Sequence, residues 1–185
     1  MSTTSYALFE TSIGPCAVVW GDAGLRGVVL PEPDAARTRA RVLRKFPEAA
    51  EAEPSPEVQA AIDGMTALLR GEHVDLTGFE LDTAGMDPFH LRAAAVARAI
   101  PPGEVMTYGQ IAARLGEPHA AQAVGQAMGK NPFPIIVPCH RVVAAGGRMG
   151  GFSAPGGART KQKMLEIEGA LGAESLPLFA GAASK

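Results

Sequence analysis

Cysteine and histidine stand side by side in Pro138-Cys139-His140-Arg141, and a glutamate, Glu168, follows on the last helical stretch of the chain. A thiol is a useful nucleophile only as the thiolate, and a nearby imidazole lowers the cost of ionising it. The segment before the sulfur, Asn131-Pro132-Phe133-Pro134, is stiff and extended, so the sulfur has a fixed position. A carboxylate at Glu168 orients the imidazole in a Cys-His-Glu relay. The same residues have a plainer reading. A lone cysteine in an apolar stretch is often a small core residue, and consecutive side chains on a strand point apart. The motif alone leaves both readings open.

A longer pattern surrounds the motif. The run Asn131-Pro132-Phe133-Pro134-Ile135-Ile136-Val137-Pro138-Cys139-His140-Arg141-Val142-Val143 resembles the active-site signature of the O6-alkylguanine-DNA alkyltransferases, also called methylated-DNA–protein-cysteine methyltransferases. Gly103-Glu104-Val105-Met106-Thr107-Tyr108 resembles that family's entry to its helix-turn-helix, and Ala123-Val124-Gly125-Gln126-Ala127-Met128 its recognition helix. Gly150-Gly151-Phe152-Ser153 with Gly156-Gly157 is similar to its active-site loop, and Glu168-Gly169 to the end of its last helix. The likeness runs from about residue 89 to 169. Residues 1–85 match more loosely, through a strand meander and Gly24-Leu25 with Leu30-Pro31.

The resemblance implies a fold and a chemistry. The fold is α+β: an N-terminal ribonuclease-H-like domain over 1–85, and a winged-helix-like, all-helical DNA-binding and alkyltransferase domain over 86–171. Apart from the resemblance, the Ala/Gly/Ser-rich composition of residues 172–185 predicts a frayed tail. The chemistry is DNA repair in which an alkyl group moves from guanine O6 to Cys139, once per molecule. The recognition helix enters the minor groove and the damaged guanine flips out of the stack, because stacking hides its alkyl carbon from attack. His140 takes the thiol proton through a water, with Glu168 orienting it. Tyr108 donates to guanine N3 so that the purine leaves as a neutral base. Asn131 holds the active-site turn. Met128, Pro134, Val142 and Phe152 line the pocket, the backbone of Cys139 and Val142 reads the exocyclic amine, and the Ser153 amide binds O6. Ala121, Gln122, Ala123 and Gly125 lie against DNA; apart from the resemblance, Arg114, Lys130, Arg141 or Arg148 are candidate phosphate contacts in place of an arginine at 122. No cofactor and no metal are implied.

Two residues depart from the family pattern. Gln122 stands where many members place an arginine that fills the gap left by the flipped base, and glutamine offers neither its charge nor its stacking surface. Phe152 stands where tyrosine is common, keeping an aromatic wall without a hydroxyl. Other classes of function remain comparable. A lesion-recognition module without transfer activity lacks the cysteine that this chain keeps. A transcription factor needs base readout, which a Gly/Ala-rich helix in the minor groove scarcely supplies. A thiol hydrolase needs an oxyanion hole and turnover.

The elements that must position these residues are legible in outline. Residues 6–10, 16–21 and 25–30 are short β-favouring runs, separated by Ser12-Ile13-Gly14-Pro15 and Asp22-Ala23-Gly24, and read as an antiparallel meander. A helix over 34–46 carries Arg37, Arg41 and Arg44 on one face, and 48–54 is an acidic loop. Ser55-Pro56 opens the next helix as N-cap and first helical residue, with Ile62, Met65, Leu68 and Leu69 as its apolar stripe. Residues 76–81 read as a further strand. The break falls at Gly85-Met86-Asp87-Pro88. Helices are then expected over 89–100, from Thr107 to 115, over 119–129 and over 159–169, with a buried strand at 135–137.

The charge asymmetry has two readings, a chance scatter of solvated charges or a basic face for nucleic acid, and the cysteine content reads most simply as a reduced, intracellular protein. Residues 1–85 hold 7 Lys/Arg and 13 Asp/Glu, a net of −6, whereas residues 86–185 hold 10 and 6, a net of +4. A chain of net charge −2 can thus present a cationic half to a polyanion. Two cysteines make no disulfide framework, and Cys16 reads as core packing. The N-terminus lacks a basic region followed by an apolar one, and no apolar run reaches membrane-span length. A monomer acting on double-stranded DNA is the expected state.

Overall fold

A computed structural model describes residues 2–150, 152 and 154–170. The predicted tail over 172–185 and the Ser153 contact therefore lie outside the described residues. The fold is mixed α+β, and its internal contacts divide it into two units. One contains the residues up to Gly85 together with Pro132–Ile136, the other Met86–Asn131 and the residues from Val137 onward.

The first unit begins with the expected meander. Strands β1 (Ser5–Thr11), β2 (Gly14–Gly21) and β3 (Gly24–Val29) pair antiparallel in that order. Thr11 closes the first turn, its Oγ1 accepting from Ile13 N and donating to Gly14 O. Gly24 is required at the second turn: its φ is +117°, and a Cβ there would lie 2.7 Å from Glu80 O. Helix α1 (Ala35–Lys45) starts at Asp34, whose side chain accepts from Arg37 N, and ends with Arg44 and Lys45 where the helix dipole favours cations. It packs on the sheet through Val42, in a cluster with Tyr6, Ala17, Val19 and Val29, and buried Thr38 donates to Pro15 O. Helix α2 (Pro56–Leu68) opens at Ser55 as predicted and buries Ile62, Met65 and Leu68.

Three local expectations for this unit are corrected. The acidic stretch 48–54 contains a strand, β4 (Ala50–Glu51), which pairs parallel with Ser5 and Tyr6 and completes the order β3-β2-β1-β4. Its exposed side chains gave no alternation to read. The predicted strand at 76–81 is a turn with one bridge, Leu25 to Leu81. Asp75 is the cause: its carboxylate accepts from both Thr77 N and Thr77 Oγ1, drawing the chain into an Asx turn. Residues 135–137 are turn and bend. Phe133, Ile135 and Ile136 are buried nevertheless, and Ile135 adopts φ +77°, a costly conformation for a β-branched residue.

The second unit carries the helix-turn-helix. Helix α3 (Pro88–Arg98) is capped by Asp87. A short strand, β5 (Met106–Thr107), leads into α4 (Tyr108–Arg114), which Thr107 and Gln110 cap reciprocally. After a break with Gly116 at φ +75° comes α5 (Ala121–Gly129). It starts two residues later than predicted, at a cap, Ala120, that makes no side-chain hydrogen bond. The motif Cys139–Arg141 is a 3-10 turn, followed by β6 (Val142–Val143) and finally α6 (Ala158–Ile167). The unit is not all-helical: β5 and β6 pair parallel, Met106 with Val142 and Thr107 with Val143. Among the described residues no helix is long and apolar enough to cross a membrane.

Candidate active site

Cys139–Arg141 is a 3-10 turn and not a strand, so its side chains do not follow the two-sided alternation of a strand. Cys139 N–H donates to Val137 O at 2.7 Å and Arg141 N–H to Pro138 O at 2.9 Å. Asn131 reaches the same segment, its Nδ2 donating to Val137 O at 2.9 Å. Its side chain also hydrogen-bonds Cys139. Cys139 is 5% exposed. Burial pushes its thiol pKa up, while the Asn131 hydrogen bond and the charge of Lys161 favour the thiolate.

His140 is fully enclosed, and its Nε2 lies 2.7 Å from Glu168 Oε1. A nitrogen facing a carboxylate carries the hydrogen, which leaves Nδ1 with a lone pair. That Nδ1 is buried and meets no protein hydrogen-bond partner among the described residues. Burial lowers the His140 pKa, against the opposing pull of Glu168. Glu168 caps the C-terminus of α6. Burial alone would raise its pKa, yet hydrogen bonds and charge from His140 and Arg141 bring it down to about 2. Burial thus opposes a charge on the imidazole while Glu168 favours one, and the carboxylate itself is held well toward its ionised form.

Arg141 corrects an expectation. It is 5% exposed, and its guanidinium is directed inward. Nε donates to Glu168 Oε2 at 2.9 Å, Nη2 to Glu168 Oε1 at 2.7 Å and Nη1 to Ile100 O at 2.7 Å. A phosphate contact is closed to it. Arg114, Lys130 and Arg148 are exposed.

Lys161 is a site residue that sequence reasoning missed. It is 1% exposed, with Nζ donating to Val142 O at 2.5 Å and Met149 O at 2.6 Å. The ammonium stands 5.8 Å from the Tyr108 ring centroid and 5.9 Å from that of Phe152. Burial lowers its pKa to about 8. The signal was present in α6: Lys161, Met164, Leu165 and Glu168 follow helical spacing, so the two charges lie on the apolar stripe.

A pocket of about 680 Å³ opens between α4, α5 and the loop before α6, lined by Tyr108, Gln122, Gly125 and Phe152 among others. Tyr108 is half-buried, and both burial and the neighbouring Cys139 raise its pKa. Gly150 permits this wall: it holds φ +68°, and a Cβ there would lie 3.0 Å from Tyr108 Cε2. Of the other predicted pocket residues, Met128 and Val142 are buried at 7% and 0% exposure and do not line this cavity. Pro134 is half-buried and belongs to the first unit. On α5, Gln122 is exposed, whereas Ala121, Ala123 and Gly125 are half-buried. No group of three His, Cys, Asp or Glu able to hold a metal occurs among the described residues.

An enclosed thiol, an imidazole held by a carboxylate and a helix-turn-helix in one unit fit the class of DNA-directed cysteine proteins. Comparison with known proteins makes the class specific. The family model for the 6-O-methylguanine DNA methyltransferase DNA-binding domain matches residues 88–170. The methylated-DNA–protein-cysteine methyltransferase of Mycobacterium tuberculosis is 38% identical over 179 residues, 94% of this chain and 98% of that one. That of Methanothermobacter thermautotrophicus is 33% identical over 152 residues, covering 82% and 78%. Among solved structures, M. tuberculosis OGT in complex with DNA matches with a TM-score of 0.73 at 33% identity, covering 89% of this chain and 92% of that one. The O6-methylguanine-DNA methyltransferase of Pyrococcus kodakaraensis matches at 0.67 and 28% identity, covering 91% and 100%. The chain belongs to the methylated-DNA–protein-cysteine methyltransferase family.

Proposed function

We propose that this protein repairs O6-alkylguanine in double-stranded DNA by taking the alkyl group onto Cys139, once per molecule. The observation that carries the reading is the buried thiol on the turn shared with His140, whose Nε2 is held by Glu168 at 2.7 Å, in a unit that also carries a helix-turn-helix. His140 Nδ1 accepts the Cys139 proton, directly or through one water. The sulfur attacks the alkyl carbon, an S–C bond forms and the C–O6 bond breaks. Tyr108 donates a proton to guanine N3, so the purine leaves neutral, and the proton on His140 restores the phenol. The product is a thioether, which is a poor leaving group, so the sulfur is not regenerated and the protein is spent.

Binding rests on α5. Its small residues Ala121, Ala123 and Gly125 permit close approach of the backbone to the minor groove, and Gln122, which is exposed, enters the gap left by the flipped base in this reading. Arg114, Lys130 and Arg148 are the phosphate contacts of this reading. It takes the chain as a cytoplasmic monomer that uses no cofactor or metal.

Incubation with an oligonucleotide containing O6-methylguanine adds the mass of one methylene to Cys139 and restores no more than one guanine per protein. Cys139→Ser abolishes transfer and keeps DNA binding. Several products per molecule, or an adduct on another residue, overturn the reading.

A further inference from the structure

We infer that Arg141 is a positioning residue that keeps His140 neutral and able to accept a proton, by holding Glu168 and cancelling its charge. The geometry is specific. Glu168 Oε1 accepts from both His140 Nε2 and Arg141 Nη2, each at 2.7 Å, and Oε2 accepts from Arg141 Nε at 2.9 Å. The third guanidinium contact, Nη1 to Ile100 O at 2.7 Å, ties the fork to the chain just beyond α3 and fixes its plane. A bidentate fork sets the orientation of a carboxylate as well as its ionisation.

The consequence concerns the imidazole. A buried His–Glu pair without further charge favours imidazolium beside carboxylate, and an imidazolium cannot take the thiol proton. Arg141 matches the charge of Glu168, so the carboxylate orients Nε2–H without drawing a second proton onto Nδ1. Besides Glu168 and Arg141, the charged group acting on His140 is Lys161, from α6, which also disfavours imidazolium. Histidine and glutamate thus titrate as one unit whose proton affinity is set by the arginine.

The functional half of this inference rests on the proposed transfer chemistry; the protonation half does not. The full chain, ¹⁵N-labelled at its four histidines, is titrated by NMR as wild type, Arg141→Gln and Arg141→Lys. Single-turnover methyl transfer from O6-methylguanine DNA is timed from pH 5 to 9. In the wild type the His140 ring stays the neutral Nε2–H tautomer at pH 6, a measurement that needs no variant; imidazolium there overturns the inference. Arg141→Gln moves the His140 titration and the acidic limb of the rate profile to higher pH together. The loss of transfer grows as the pH falls, about twofold at most at pH 6 and rising toward the tenfold limit of a one-unit displacement below it, and it vanishes by pH 8.5. Arg141→Lys restores the charge and returns the titration toward wild type. A merely structural arginine slows both variants equally at every pH, and that result overturns the inference. Wild type that keeps a neutral His140 but transfers no methyl group refutes the transfer reading and leaves the arginine assignment standing.

Discussion

Replacing Lys161 by methionine tests the buried ammonium through its pH dependence. Lys161 is 1% exposed, and its two carbonyl contacts only partly replace the water it has lost, so its pKa falls from 10.5 to about 8. A displacement of that size corresponds to roughly 3 kcal/mol. Below pH 8 the lysine is protonated in both folded and unfolded chains, and the full destabilisation is present. Between pH 8 and 10.5 the folded chain releases the proton while the unfolded chain keeps it. The unfolded state then binds more protons, and stability rises with pH. Cys16, whose pKa is raised by burial from 9.0 to about 12, and Cys139, also raised, act in the opposite sense above pH 9. Cys16 cancels between the two proteins, and Cys139 cancels except for the Lys161 charge that favours its thiolate, which the variant loses. Urea unfolding at pH 7.5, 8.5, 9.5 and 10.5 should show wild type gaining about 3 kcal/mol on the variant across the series. The variant also strips Val142 O and Met149 O of a donor, a cost that does not change with pH. A flat difference, or one that shrinks as pH rises, refutes the reasoning.

Gln122→Arg should speed repair of duplex DNA while leaving reaction with the free modified base unchanged, because only the duplex requires extrusion, which costs a few kcal/mol. Gln122→Ala should slow duplex repair, and equal duplex rates for all three residues would show that position 122 does not touch the flipped site. Gly150→Ala should destabilise the fold by about 1–3 kcal/mol in urea unfolding, because it combines a positive φ with a Cβ pressed against the Tyr108 ring; a loss under about 0.5 kcal/mol would show that the loop gives way. Affinity for undamaged duplex, read by fluorescence anisotropy, should be modest and fall linearly in log-log form as salt rises, as counterion release demands. A salt-independent affinity would remove the phosphate role of Arg114, Lys130 and Arg148.

What the sequence made legible divides by the range of the interactions. The meander was readable because its turns are local, at Ser12-Ile13 and Asp22-Ala23, and its strands adjoin along the chain. The helix starts at Ser55 and Thr107 were readable because a cap acts over three residues. Strands β4, β5 and β6 were not: each has two residues, and their partners lie far off in sequence, so no period can form. Residues 135–137 read as a strand because an apolar run does not declare its backbone, and a left-handed isoleucine contradicts every propensity. In the candidate site, Cys139, His140 and Glu168 came from a motif. Arg141 and Lys161 went astray because a cation is expected in water, and only the partners folded around them show why they are inside.

Glu168 is both the end of α6 and the support of an imidazole encoded 28 residues earlier. On a ribosome adding roughly 5–20 residues per second, the cysteine motif emerges seconds before the carboxylate. Over that interval the nascent chain carries an ordinary thiol beside an unsupported histidine. The residue that orders the imidazole is also the one that ends the helix, so the imidazole gains its partner only when the end of α6 is in place. A chain stopped before position 168 therefore lacks both the carboxylate that meets His140 Nε2 and the residue that caps α6.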